Sequence, residues 1–278
     1  MTTNALRTAA LMAGLITLFA LIGGALGGQS GLFIAFGIAV ALNFGSYWFS
    51  DKLVLKMQRG QEITEQDSPE LVRMVDRLRQ RAGLPMPKVY IIPSPQPNAF
   101  ATGRNPEHAA VAFTEGILRT LQIDELEGVT AHELAHIKHR DILTSTIAAT
   151  LASAITLLAR FAIFIPIGGR NSNGGGLQAI LMLILAPIAA MLIQMAISRS
   201  REFAADRGGA EIAGSPNGLA NALLRLEGMA AQVPAQTNPS SAHLFIVNPF
   251  AGRGGGFANL FRTHPPTEER VSRLRAMA

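Results

Sequence analysis

Two long stretches of this chain carry no Asp, Glu, Lys or Arg: Thr8 to Ser50 and Asn171 to Ser198. In water, a segment without charges has only apolar surface to present. In a bilayer it needs nothing else. The average agrees with the local pattern: 49% of residues are hydrophobic and 15% charged, against roughly 25% charged in soluble domains. At 278 residues the chain can also build a separate core facing water.

The first apolar block, Thr8 to Gly27, is long enough for a spanning helix, which takes about 20 residues. The second, Gly31 to Trp48, follows after only GGQS, so the two are expected to form a tight helical hairpin. A cleaved signal peptide is the competing explanation for the first block, but no convincing small-x-small cleavage site precedes the second. Arg7 lies before the hairpin and Lys52, Lys56 and Arg59 lie after it, while the turn has no positive charge. Positive segments stay in the cytosol, so both hairpin ends are expected there. A third block, Ile142 to Pro166, and a fourth, Leu177 to Ile197, flank the flexible GGRNSNGGG segment. They form either a second spanning hairpin or a pair lying partly in the interface. Arg160, near the far end of the third block, is expected to reach the interface.

The resulting division is a membrane hairpin at 1–54, a water-facing part at 55–141, a second hydrophobic hairpin at 142–198 and a second water-facing part at 199–278. The fold class is mainly α with a small β-sheet. DSPELVRMVDRLRQRAGLP predicts a helix with Ser68 as N-cap, Pro69 in the first turn and Gly83 as the stop. Leu71, Val75, Leu78 and Ala82 form its apolar stripe. KVYII is strand-like, NAFAT and HAAVAF form a hairpin around Gly103 to Glu107, and Thr114 opens a short helix. Asp124 and Glu127, in DELE, predict a capping box for a helix from about Glu125 through His139. After the fourth block, SRSREFAADRGGAEIAG, SPNGLANALLRLEGMA and TEERVSRLRAM read as helices. The Pro-, Gly- and Ser-rich segment 233–256 reads as a long loop.

VTAHELAHIKHRD, Val129 to Asp141, lies within the predicted Glu125–His139 helix and just past its end. On a helix, His132 and His136 share one face and can converge on one Zn²⁺. Glu133 sits beside the first ligand, where it would accept a proton from an attacking water and return it to the leaving amine. The five-residue pattern alone also occurs on ordinary solvated helices. Here the helix is well capped, Ala131, Leu134 and Ala135 make it apolar, and two of only six histidines occupy the two positions. A catalytic zinc takes three protein ligands. Position 142 is Ile, so a third His six residues on is absent, and the third ligand must come from elsewhere. Glu202 in SRSREFAADR is the strongest candidate, with Asp206 at i+4 placed to accept from a ligand imidazole. The alternative is that both acids are solvated among Arg199, Arg201 and Arg207. His264 competes as third ligand, and His139 points elsewhere around the helix.

AHELAHIKHRD, a hydrophobic hairpin, SRSREFAAD and then THPPTEER, with NAFATG upstream, resemble the HtpX family of membrane-bound zinc metalloproteases over nearly the whole chain. The resemblance implies transmembrane helices plus a cytosolic zincin-like metalloprotease domain of gluzincin type, one Zn²⁺ per chain, and a multi-pass protein of the bacterial inner membrane acting in membrane protein quality control and stress response. It implies His132, His136 and Glu202 as zinc ligands, Glu133 as catalytic base and Asp206 as the acid orienting a ligand His. His264 is implied as support for the oxyanion, with Arg270 nearby. Asn98, Ala99, Phe100 and Ala101 read as a strand that pairs with an extended substrate, or as one strand of a structural hairpin. Asn98 is also placed to donate to the substrate carbonyl.

The expected partners are membrane protein or unfolded polypeptide substrates and the lipid bilayer. The net charge of +5 fits cytosolic membrane edges, and no basic stripe with interleaved aromatics points to nucleic acid. With no cysteine, disulfides and thiolate chemistry are excluded. Two other functions are open to such a chain. One is a prenyl-protein protease, whose relatives have more membrane helices than four apolar blocks allow. The other is a membrane scaffold with an inactive zinc site, against which an intact Glu133 argues. Oligomeric state has no signature in the sequence.

Overall fold

Glycines decide where the first element turns and how closely its arms approach. The computed structural model describes residues 3–144, 199–232, 245–247 and 265–278. The third apolar block beyond Thr144, the fourth apolar block, His264 and most of the 233–256 loop lie outside the described residues. Helix α1 (Thr3–Met57) is interrupted at Gly27 and Gly28, and Gly28 has φ 60° and ψ −146°, a region closed to residues with a Cβ. The turn thus falls within the expected GGQS. Its arms touch at Gly23 and Gly31, where a Cβ on Gly31 would lie 2.2 Å from the Gly23 carbonyl oxygen. Asn43 Nδ2 donates across the arms to Met12 O at 3.1 Å. Gly27–Phe49 is long and apolar enough to cross a membrane, while Met12–Leu21 in the first arm is apolar but shorter.

Past the hairpin the chain builds a four-stranded mixed sheet from β1 (Gln61–Ile63), β2 (Lys88–Ile92), β3 (Ala99–Gly103) and β4 (Ala109–Thr114), in the order β1-β2-β4-β3. β4 inserts between β2, to which it is parallel, and β3, to which it is antiparallel. The strand β1 was not expected from sequence. At three residues it is too short for alternation to show, and pairing with β2 creates it. One sheet face contributes Val89, Ala99, Val111 and Phe113 to the main core. The other places Ile92, Phe100, Ala110 and Ala112 against Leu55 at the end of α1. Both faces are covered, which is why β4 is buried along its whole length. Where β3 ends, the Arg104 guanidinium stacks 5.0 Å from the Trp48 ring of α1.

Helix α2 (Pro69–Ala82) buries Leu71, Val75, Leu78 and Ala82 as its stripe predicts, together with Met74. It ends at Gly83 in the left-handed conformation. Short α3 (Glu115–Thr120) follows Thr114, whose side chain accepts from Ile117 N. Helix α4 (Ile123–His139) starts two residues earlier than expected. The capping contact comes from Glu125, whose Oε2 accepts from Gln122 N at 2.9 Å, and not from Asp124 with Glu127. Glu125 is buried and paired with Arg225 from a distant helix, and Glu127 is drawn to Arg77. Those long-range partners override the local DELE pattern.

Three helices complete the described chain: α5 (Arg199–Ala213), α6 (Asn217–Gln232) and α7 (Thr267–Arg275). α4 is the hub, packed by α5, α6 and α2. It meets α6 nearly backbone to backbone: a Cβ on Gly128 would fall 2.3 Å from Leu219 N, and one on Gly218 2.2 Å from Asp124 O. α5 crosses it at Gly209, where a Cβ would sit 2.9 Å from His132 Cα.

This close approach makes a quantitative expectation. Gly128→Ala should destabilise by about 1–3 kcal/mol through overpacking. Gly228→Ala, on α6 with open space at its Cβ, should be neutral or stabilising by up to about 1 kcal/mol. Denaturant unfolding of both variants checks the contrast, and equal melts would contradict it.

Candidate metal centre

The helical repeat of α4 brings His132 and His136 onto one face, where His132 is buried and His136 partly exposed. His132 is 1% exposed and Glu133 is 7% exposed. The two rings stand edge to face, 4.7 Å between centroids, with their Nε2 atoms 3.2 Å apart. Glu202, in the first turn of α5, closes the group: Oε2 lies 3.8 Å from His132 Nε2 and Oε1 3.5 Å from His136 Nε2. Among the described residues, these three are the side chains whose ligand atoms all lie within 4.8 Å of one another. The Gly209 crossing explains how α5 comes close enough.

The chemistry of this donor set fits a divalent cation. Both Nδ1 atoms face carboxylates: His132 Nδ1 is 3.0 Å from Asp206 Oδ1 and His136 Nδ1 is 3.4 Å from Asp141 Oδ2. Protons on Nδ1 leave both Nε2 lone pairs aimed at each other and at the Glu202 carboxylate. Three electron-rich groups at this spacing repel unless a cation or a proton stands between them. Nitrogen and carboxylate donors suit Zn²⁺.

Asp206 is held in turn by Arg270. The guanidinium donates from Nε to Oδ2 at 2.9 Å and from Nη2 to Oδ1 at 2.7 Å. Its Nη1 donates to Ile246 O at 2.9 Å. Burial raises the pKa of Asp206, but Arg270, with His132 assisting, more than reverses this and holds the carboxyl well below the usual carboxylate range. Burial also disfavours charge on Arg270, but Asp206, Glu202 and Glu133 raise its pKa above the ordinary arginine value. Asp206 therefore faces the His132 ring, and Arg270 is its buried partner.

Glu133 points at the sheet edge. Its Oε2 accepts from the backbone N–H of Ala101 in β3 at 2.8 Å. In the antiparallel pair with β4, Thr114 N donates to Asn98 O. The alternation then turns the main-chain groups of Ala99, Ala101 and Gly103 outward. Phe100 is buried on the opposite face against Leu55 and Ile92, so β3 offers the site main chain and not an aromatic side chain. Asn98 is buried, and its Oδ1 accepts from Ile246 N at 3.3 Å. His264, expected near the oxyanion, lies outside the described residues. Asp141, in contact with His136, was not singled out from the sequence, although it closes the quoted motif.

The charge balance around His136 generates a prediction. Burial opposes its protonation, but the hydrogen bond to Asp141 and the carboxylates of Glu202, Glu133 and Asp141 outweigh burial and push its pKa up to about 9. A metal must therefore displace a proton below pH 9. Apparent zinc affinity should fall about tenfold per pH unit as pH drops from 9 towards 7. With a pKa near the ordinary value of about 6.5, no loss would begin until far lower pH. Competition with a chromophoric chelator of known proton affinity measures it, and a flat profile from pH 7 to 9 contradicts it.

The chain is similar to known proteins along nearly its whole length. The family model described as peptidase family M48 covers residues 65–278. A protein named Protease HtpX homolog from Salinibacter ruber is 61% identical over 275 residues, covering 99% of this chain and 98% of the relative. One of the same name from Ralstonia pickettii is 56% identical over 281 residues, covering 99% of this chain and 97% of the relative. The crystal structure of S. mikatae Ste24p shares the fold, with a TM-score of 0.55 at 18% identity. The match covers 98% of this chain and 64% of the Ste24p chain. The chain therefore belongs to peptidase family M48, among the HtpX proteases, and is a metalloprotease.

Proposed function

We propose that this chain is a membrane-bound zinc endopeptidase that cuts misfolded or damaged membrane proteins at the cytosolic face. The observation that carries the proposal is Glu133, buried between the three-ligand cluster and the backbone of an edge strand. His132, His136 and Glu202 would hold the ion, one per chain. When bound, the ion supplies Lewis acidity, activating water and polarising the scissile carbonyl.

The chain's own groups perform the rest. β3 receives an extended peptide by main-chain pairing, which makes little demand on side-chain sequence and suits damaged substrates of many kinds. The Ala101 N–H fixes one oxygen of Glu133, and Oε1 accepts the proton of the attacking water. The same carboxyl then delivers the proton to the leaving amine nitrogen. Asp206, clamped by Arg270, keeps His132 in one tautomer and orientation. Asn98 and His264 are assigned to the substrate carbonyl and oxyanion on the family pattern.

Membrane attachment is supported by the Gly27–Phe49 stretch of α1, with Phe33, Ile34 and Phe44 among its exposed side chains, and by the uncharged 171–198 segment. Cytosolic placement follows from Lys52, Lys56 and Arg59 after the hairpin. The motif helix ends at His139 and the chain turns at Arg140, within a few residues of the start of the third apolar block at Ile142. The reaction centre is thus set just above the membrane face.

Two measurements test this. Glu133→Gln should keep its zinc while casein hydrolysis drops by roughly 10²–10⁴-fold; variant and wild type equally inert with zinc bound would remove the enzymatic role of this site. Mapped cleavage sites in membrane substrates should fall in cytosolic loops or unfolded tails. Cuts inside transmembrane segments or on the external side would refute the placement.

A further inference from the structure

Asp206 accounts for one of the two imidazoles. The other has a partner of its own. Asp141 is 3% exposed, and its Oδ2 stands 3.4 Å from His136 Nδ1. It gets there because Arg140 adopts the left-handed conformation at the end of α4. The chain turns back on itself, and the N–H of Asp141 bonds to the carbonyl of His136 at 3.0 Å. Side chain and main chain of Asp141 thus both grip the same residue. Its second oxygen, Oδ1, faces Arg201 Nη1 at 4.0 Å, and the Arg201 side chain is 11% exposed. Arg201 is the residue immediately before Glu202.

We propose that Asp141, backed by Arg201, is the positioning residue for His136. It keeps the proton on Nδ1, raises the basicity of Nε2 and fixes the ring plane towards the metal. The arrangement repeats the one at His132: imidazole, buried carboxylate, arginine. The two copies differ in what they join. Asp206 and Arg270 tie His132 to the C-terminal helix. Asp141 and Arg201 stand on either side of residues 142–198, so both flanks of that hydrophobic segment are anchored at one ligand. The inference rests on the three-ligand zinc site proposed above.

A purely structural role is the rival explanation, since Asp141 also precedes a helical turn at Ile142 and can serve as its N-cap. Asp141→Ser separates the two, because serine caps a helix as well as aspartate but is too short and uncharged to hold the imidazole. The full-length chain in detergent is stripped of metal and titrated with zinc, then loaded with cobalt(II) for its visible absorption spectrum. Asp141→Ser should weaken zinc binding by about 10–100-fold and alter the cobalt spectrum, while the thermal unfolding of the metal-free chain stays unchanged. Asp141→Asn, which can still accept from Nδ1–H, should recover part of the loss. Arg201→Met should weaken binding less than Asp141→Ser, and the double variant should lose less than the sum of the two. Zinc affinity within about twofold of wild type and a superimposable cobalt spectrum in Asp141→Ser would overturn the proposal. So would a loss of metal matched by a loss of metal-free stability. A wild-type chain that binds zinc but cleaves no peptide would sink the protease assignment and leave this result standing. Metal content unchanged by Glu202→Ala would sink the ligand set itself.

Discussion

A guanidinium almost sealed from water ties together the elements around the His132, His136 and Glu202 cluster. Arg270 is 1% exposed, and a charge so placed is tolerable only with full compensation, since breaking such a pair costs about 3–5 kcal/mol. Its bidentate pairing with Asp206 and its bond to the Ile246 carbonyl supply that compensation. Each partner belongs to a different part of the chain. Asp206 is one turn beyond Glu202 on α5, Ile246 lies between α6 and α7, and Arg270 itself is on α7. The Ile246 N–H in turn donates to Asn98 Oδ1, just before the edge strand. Helix α5, a sheet edge and the C-terminal helix are thereby referred to one buried cation.

The same economy of position is seen around the sheet. α4 covers one face and carries His132, Glu133 and His136. The end of α1 covers the other, through Leu55. The edge strand β3 runs between them with Phe100 buried towards α1 and its main chain near Glu133. At its end Arg104 rests on Trp48, an aromatic of the kind that favours a membrane–water boundary. The element that bears the membrane stretch and the element suited to receive peptide are therefore in direct contact.

Much of the local structure was legible because it is enforced by short-range stereochemistry. Gly83 terminates α2 in a conformation that suits glycine, Ser68 and Pro69 mark its start, and Thr114 opens α3 with its own side chain. The spacing of His132 and His136 was readable for the same reason, since a helix repeat leaves no alternative face. The errors had long-range causes. Glu125 and not Glu127 caps α4, because Arg225 and Arg77 compete for the two acids from distant helices. β1 exists through its pairing with β2. The contact of Asp141 with His136 was not legible because it depends on a left-handed Arg140, which the sequence does not advertise.

From the order of residues alone follow the uncharged stretches that demand an apolar solvent, the pair of imidazoles on one rod and the carboxylate beside them. Those are consequences of side-chain chemistry and helical periodicity, which act over a few residues. That Glu202 comes to those imidazoles, that Asp206 and Arg270 lie buried behind one of them, and that Ala101 meets Glu133 was decided only on folding. The reason is close packing: glycines at 128, 209 and 218 let helices far apart in sequence meet at backbone distance. Only at that distance do charges separated by tens of residues bind one another more strongly than they bind water.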